Sequence, residues 1–187
     1  AIILLLTCIG FNTGPAFSYN RTEMSLPDMT LVAHNLRLNN LSEMEYLFYK
    51  DLSDGVLNSH DCFDAFLIAS EITDRNRFSA YRAKLETIKK EAVTAVNGAS
   101  PGGDYSRGKQ LLKWLHANIL KKYAKNAVHA DELLDRGRFN CHSASILYGV
   151  LAGELNLDVS GVLVPDHSFC MITTDSGRID IETTVAY

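Results

Sequence analysis

The sequence predicts an α+β fold in which helices come first and an antiparallel sheet follows. Up to about residue 156 the apolar residues recur every three or four positions, which is typical of helices packed on a core. From Val159 onward they form short runs that indicate strands, and Thr174-Asp175-Ser176-Gly177 predicts a hairpin turn between the last two. Helices followed by strands, rather than alternating with them, favour an antiparallel sheet.

Length and composition limit the classes of protein that the chain can be. The chain has 187 residues, enough for one compact domain with a core and a smaller helical lobe in front of it. Its apolar content of 47% and charged content of 21% are those of an ordinary globular protein. The net charge of −4 provides no broad basic surface, so we do not expect a nucleic-acid partner.

The first 18 residues predict a signal peptide. An apolar run over 1–10 is too short to span a bilayer, and Ala16-Phe17-Ser18 sets small residues where a signal peptidase reads. We therefore expect an exported protein, periplasmic or extracellular, with no stable membrane span in the mature chain. Two alternatives stay open: the leader remains uncleaved as an anchor, or Leu5-Leu6-Thr7-Cys8 is a lipoprotein cleavage site.

The first half of the mature chain predicts an irregular extension and then a helical lobe. Residues 19–40 are polar and irregular, whereas 41–97 show helical spacing in three segments. Asp61 and Asp74 are the predicted N-caps of the second and third helices. The Gly-, Pro- and Ser-rich stretch over 98–104 predicts a loop and the boundary of the domain that follows, 105–187.

In that domain the pattern predicts three helices and then three strands. Asp104 is the predicted N-cap of a helix that runs to about Leu120, followed by helices over about 131–136 and 141–156. The strands are predicted from the apolar positions of three short runs, which are Val159 with Val162 to Val164, Phe169 with Met171 and Ile172, and Ile179 with Ile181.

Cys141 is the candidate nucleophile. Gly137 ends the helix before it, and Cys141 then falls in the first turn of the next helix. A thiol at a helix N-terminus faces unpaired backbone N–H groups and the positive end of the helix dipole, which favour its thiolate. The same N–H groups can stabilise an oxyanion.

A cysteine nucleophile needs a base and a group that orients the base. His167 begins one predicted strand, and Asp180 and Glu182 lie on the same face of the next. Pairing the strands about the turn sets residue 184 opposite His167, which slightly favours Glu182 over Asp180.

These residues resemble the transglutaminase-like superfamily of papain-like cysteine enzymes. The resemblance covers about 105–187: a leucine-rich helix, Gly137, a short turn and Cys141, then His167, then Ile179-Asp180. It implies a Cys–His–Asp triad of Cys141, His167 and Asp180, because Ile179-Asp180 matches the family motif best, with Glu182 as the alternative. The helical lobe resembles the extension of some bacterial members, and we expect a further strand or two beyond residue 187.

The resemblance implies a cysteine protease or amidase that hydrolyses a peptide or protein substrate through an acyl-thioester. A crosslinking transglutaminase and a non-catalytic interaction module on the same fold are the alternatives. Such chemistry requires no cofactor and no metal, and a zinc site from Cys141, His142, His167 and Asp180 lacks the paired-ligand spacing of known sites. Once the leader is removed, Cys62, Cys141 and Cys170 remain, and a disulfide between Cys62 and Cys170 stays open.

Overall fold

The computed structural model describes residues 41–53, 57–99 and 102–186. The described residues before Cys62 belong to one compact unit, and those from Cys62 onward form a second. The predicted leader over 1–18 and the extension over 19–40 lie outside the described residues. Of the described residues 54% are helical and 16% lie in strands, so the predicted α+β class is confirmed.

The first unit contains one described helix, α1 (Glu43–Asp51). It begins with a capping box, in which the Ser42 hydroxyl accepts the Glu45 N–H at 3.2 Å and the Glu45 carboxylate accepts the Ser42 N–H at 2.8 Å. At the other end, the Asp51 carboxylate accepts the N–H groups of Ser59 and His60 and contacts the His60 ring at 2.9 Å. These bonds hold the loop over 57–60 against the end of the helix.

The second unit opens with three helices: α2 (Cys62–Ala69), α3 (Arg75–Asn97) and α4 (Asp104–Asn118). Asp74 accepts the Arg77 N–H at 2.9 Å, which confirms it as the N-cap of α3. The prediction that Asp104 is the N-cap of α4 was wrong. Gly103, in an extended conformation, occupies the N-cap position, and Asp104 is the first helical residue, where its carboxylate still faces the positive end of the dipole.

Two shorter helices and two small strands lead to the main sheet. The helices α5 (Ala130–Arg136) and α6 (Cys141–Glu154) lie where the sequence predicts them. Strands β1 (Lys122–Tyr123) and β2 (Arg138–Phe139) form a parallel pair. This pair was not predicted, because two residues are too few to show a strand period.

The main sheet is antiparallel, as predicted. It consists of β3 (Val159–Val164), β4 (His167–Thr174) and β5 (Gly177–Ile181) in the order β3-β4-β5. Thr174 pairs with Gly177 at the predicted hairpin, and Cys170 pairs with Ile181. Extended past the end of β5, this register sets residue 184 opposite His167.

The core lies between α6 and one face of this sheet. Helix α6 packs against β3 and β4 and also against α2, α3 and α4. Gly108 brings α4 close, because a Cβ at this position would lie 2.2 Å from Ile172 Cδ1 and 2.7 Å from the Tyr148 hydroxyl. Most of the predicted helical lobe thus belongs to the same compact unit as the sheet, which begins at Cys62 and not at the predicted boundary over 98–104. Within the described ranges, no helix has both the length and the apolarity to cross a membrane.

Candidate functional site

A tight change of direction brings the chain to the start of α6. Gly137 ends α5 in the left-handed conformation, with φ of 62°. Only glycine fits there, since a Cβ would lie 2.7 Å from the Ile119 carbonyl oxygen. The next two residues form β2, and Asn140 then caps α6.

The first turn of α6 is fixed by a reciprocal cap. The Asn140 side chain accepts the Ser143 N–H and the Ser143 hydroxyl accepts the Asn140 N–H, both at 3.0 Å. The same side chains also bond the preceding loop, Asn140 to the Lys125 carbonyl at 3.1 Å and Ser143 to the Ala127 carbonyl at 2.8 Å. Cys141 is therefore the first residue of a firmly held helix N-terminus, 6% exposed.

A two-residue turn sets His167 at the start of β4. Val164 pairs with His167, and Asp166 between them has φ of 61°. The His167 ring stacks on Phe169, two residues along the same strand face, with centroids 6.1 Å apart. The imidazole lies close enough to the Cys141 sulfur for each group to shift the pKa of the other.

The carboxylate on the imidazole belongs to Glu182. Its Oε2 lies 2.7 Å from His167 Nε2, and its Oε1 accepts the Thr184 N–H at 3.0 Å. Because a carboxylate only accepts, Nε2 carries the proton, and Nδ1 is the ring nitrogen that the bond to Glu182 does not use.

Asp180 does not lie on the imidazole, which corrects the first choice made from the sequence. It is exposed and pairs with Met171 in the middle of β4, four residues along the strand from His167. The register brings residues near 184, and so Glu182, beside the start of β4. The strand pairing was a better guide to the carboxylate on the His167 ring than the match of Ile179-Asp180 to a family motif.

The site favours a thiolate on Cys141 and a proton on His167. Burial raises the pKa of Cys141, but the nearby polar groups of Ser168 and His167, together with the His167 charge, outweigh it and hold that pKa below its usual value of 9.0. The hydrogen bond to Glu182 is the main reason that the pKa of His167 lies above its usual 6.5. The two shifts are those of a thiolate–imidazolium pair.

Three further polar residues beside this pair were missed from the sequence. Ser168 follows His167 and is 4% exposed; its hydroxyl makes no hydrogen bond of normal geometry but lies close enough to Cys141 to lower the pKa of the thiol. Ser145 and Thr183 are also buried. The available signal was spacing, since Ser145 lies one helical turn after Cys141 and Thr183 adjoins Glu182.

The other cysteines differ from Cys141. No disulfide joins Cys62 to Cys170, and the Cys170 thiol donates to the Ser145 carbonyl. Cys170 is fully buried, and burial raises its pKa to about 12, which makes it unreactive. Among the residues that the structure describes, no three His, Cys, Asp or Glu side chains are grouped so that they could hold a metal ion.

The chain was compared with protein families, curated proteins and solved structures. No family model, no curated protein and no solved structure matches the chain. The function is therefore inferred from the site itself.

Proposed function

We propose that this protein is a cysteine-dependent hydrolase of amide or peptide bonds with a transglutaminase-like catalytic core. The observation that carries the proposal is the order of contacts at the site: the thiol of Cys141 at a helix N-terminus, His167 beside it, and Glu182 on the far nitrogen of the imidazole. A nucleophile, a base and a group that orients the base are the minimum that acyl-transfer chemistry needs.

The mechanism follows from these contacts. The Cys141 thiolate attacks the substrate carbonyl carbon, and a carbon–sulfur bond forms as the carbonyl becomes an oxyanion. The intermediate collapses, the carbon–nitrogen bond breaks, and His167 gives its proton to the leaving amine. Water, deprotonated by His167, then attacks the thioester, releases the carboxylic acid and returns the thiolate. Glu182 holds the imidazole in one orientation and stabilises its charged form.

The oxyanion has donors close to the sulfur. The first N–H groups of a helix have no partner within the helix. The Asn140 side chain accepts the Ser143 N–H, so the N–H groups of Cys141 and His142 are the remaining donors of the first turn. We propose that they receive the oxyanion, at the positive end of the α6 dipole.

The transglutaminase-like assignment is supported by the order of elements. Cys141 begins a helix, His167 begins a strand packed on that helix, and the carboxylate follows the next antiparallel strand. The departure from the expected pattern is that the carboxylate is a glutamate, which has one more methylene with which to reach the ring from beyond the end of β5.

Acyl-enzyme formation tests the proposal without knowledge of the natural substrate. The full chain is mixed with p-nitrophenyl acetate, and p-nitrophenol release and protein mass are followed. We expect a burst of about one equivalent and an acetyl group on Cys141, because the nucleophile transfers before water releases it. Cys141→Ala should lose both, and His167→Ala should slow the burst by about a hundredfold or more.

Cys62→Ala is the matched control, since it removes the half-buried thiol and leaves the site intact. Acetylation spread equally over Cys62 and Cys141, or a burst that survives in Cys141→Ala, would refute the proposal. Adding glycinamide then separates hydrolysis from transfer: a transferase gives acetylglycinamide as its main product.

The low exposure of Cys141 favours a second candidate, a non-catalytic interaction module on the same fold. At 6% exposure, the thiol is almost closed to solvent. In a closed module even small reagents should fail, so native iodoacetamide labelling would be faster at Cys62. In an enzyme, Cys141 should react faster by about tenfold near pH 6.5, where an ordinary thiol is protonated.

A further inference from the structure

Three hydrogen bonds meet at Ser145, four residues after Cys141 on the same face of α6. Its hydroxyl oxygen lies 2.8 Å from Thr183 Oγ1 and 3.3 Å from the Ser168 carbonyl oxygen. Its carbonyl accepts the Cys170 thiol at 3.2 Å. One helical turn below the nucleophile, α6 is thus bonded both to β4 and to the segment after β5.

The direction of the hydroxyl bonds follows from the number of hydrogens. The Ser168 carbonyl can only accept, so the single hydroxyl hydrogen of Ser145 is donated to it. Thr183 must then donate to Ser145. All three residues are buried, with exposures of 4% or less, so breaking either bond leaves a polar group without water to replace it.

Both partners of Ser145 adjoin residues of the proposed triad. Ser168 directly follows His167, and Thr183 directly follows Glu182. The main chain at Thr183 is also held from the other side, because its carbonyl lies 3.1 Å from His116 Nε2 on α4. Since a carbonyl only accepts, that nitrogen carries the proton. The carboxylate segment is therefore fixed between α4 and α6.

We infer that Ser145 and Thr183 are positioning residues that hold His167 and Glu182 in register with Cys141. This inference rests on the proposed function. The three groups come from a helix, a strand and the segment after another strand, and a displacement of about 1 Å between reacting groups can cost roughly a hundredfold in rate. The Thr183–Ser145–Ser168 bonds connect those three elements directly.

A purely structural role is the competing explanation, and Ser70 provides its control. Ser70 is 7% exposed, and its hydroxyl donates to the Phe66 carbonyl and accepts the Ala130 N–H, both at 2.8 Å. It therefore connects the end of α2 to the start of α5 as Ser145 connects α6 to the sheet. Neither element carries a residue of the triad.

The test is the pH profile of iodoacetamide labelling at Cys141, read by peptide mass spectrometry on the full chain. Ser145→Ala and Thr183→Val should move the midpoint to higher pH and slow labelling near pH 6 by about tenfold for each unit of the shift. Thr183→Ser keeps the hydroxyl and should keep the profile. Ser70→Ala should lower the melting temperature as much as Ser145→Ala but leave the profile unchanged.

The double variant of Ser145→Ala and Thr183→Val should label no more slowly than Ser145→Ala alone, because both substitutions remove the same Ser145–Thr183 bond.

An unchanged profile in both Ser145→Ala and Thr183→Val, with a lowered melting temperature, would overturn the inference. If Ser145→Ala does not fold, the comparison of Thr183→Val with Thr183→Ser gives the result. His167→Ala distinguishes a failure of the positioning role from a failure of the proposed function. If His167→Ala shifts the profile but Ser145→Ala and Thr183→Val do not, the positioning role alone is overturned. If His167→Ala also leaves the profile unchanged, the proposed function is overturned as well.

Discussion

The titration of the Cys141–His167 pair depends on a single carboxylate. The hydrogen bond from His167 to the Glu182 carboxylate is the largest cause of the raised pKa of His167, and the charge on His167 in turn helps to lower the pKa of Cys141. Both shifts favour the charged form of each partner, thiolate on Cys141 and imidazolium on His167. The reactive form of the pair therefore needs a pH above the lowered pKa of the thiol and is limited at high pH by loss of the imidazolium proton.

Replacing Glu182 should uncouple this pair. In Glu182→Gln the pKa of His167 should fall towards 6.5 and that of Cys141 should rise towards 9.0, because the charge that stabilises the imidazolium is gone. We expect the His167 midpoint, followed by NMR, to move to lower pH, and the burst of p-nitrophenol at pH 7 to fall by roughly a hundredfold or more.

Asp180→Asn is the control, because it removes a carboxylate of the same strand that is exposed and lies opposite Met171. Its NMR and burst profiles should match those of the unaltered chain. Equal effects of the two substitutions would mean that the net charge of the strand, and not the bond from His167 to Glu182, sets the titration.

At the scale of single residues, the sequence identifies those whose chemistry is local. Cys141 was proposed from its place after Gly137 at a helix start, and His167 from its place at a strand start. The choice between Asp180 and Glu182 needed the exact strand register, which is set by packing. Ser145 was invisible because its partner, Thr183, is 38 residues away in the sequence.

The N-terminus of α6 is the element that holds Cys141, the proposed nucleophile. Asn140 is 3% exposed and satisfies both the Ser143 N–H and the Lys125 carbonyl. Asn140→Ala should cost about 0.5–2 kcal/mol of unfolding free energy, the usual range for a lost N-cap. It should also slow iodoacetamide labelling of Cys141 at low pH, because the first turn that stabilises the thiolate is loosened.

Asp74→Ala is the matched loss of an N-cap, on α3, where Asp74 accepts the Arg77 N–H. Urea unfolding should show a loss of similar size, while labelling of Cys141 stays unchanged. The prediction fails if Asn140→Ala lowers stability without affecting labelling, since the cap would then serve only the helix.

Most of the described elements were predictable because their signals are local. Apolar spacing located α3 to α6, and the turn at 174–177 located the hairpin. Two features were not predicted, because each depends on more than the local sequence pattern. Gly103 rather than Asp104 took the cap position of α4, and the β1–β2 pair exists through tertiary pairing alone.

At the scale of the whole molecule, the composition of 98–104 predicted a domain boundary. In the structure, helices before that loop pack in the same compact unit as the sheet. Side chains of α2 and α3 are fully buried in the same unit as the sheet, among them Leu67, Leu85 and Ala92. A loop rich in glycine and serine marks where the chain turns. Whether a domain ends there depends on contacts between distant residues, which single-sequence composition does not encode.

The helices before that loop should therefore be needed for the rest of this compact unit to fold. A chain that begins at residue 102 loses α2 and α3, and with them the cover over part of α4 and α6. Each large buried side chain contributes roughly 1.5–3 kcal/mol, and total stability of a domain is only about 5–15 kcal/mol, so the loss of several should abolish folding. Thermal unfolding by circular dichroism should show a cooperative transition for the full chain and none for 102–187. A cooperative transition in the short chain, together with selective labelling of Cys141, would instead show that the core is complete without these helices and that the boundary predicted from composition is a true domain boundary.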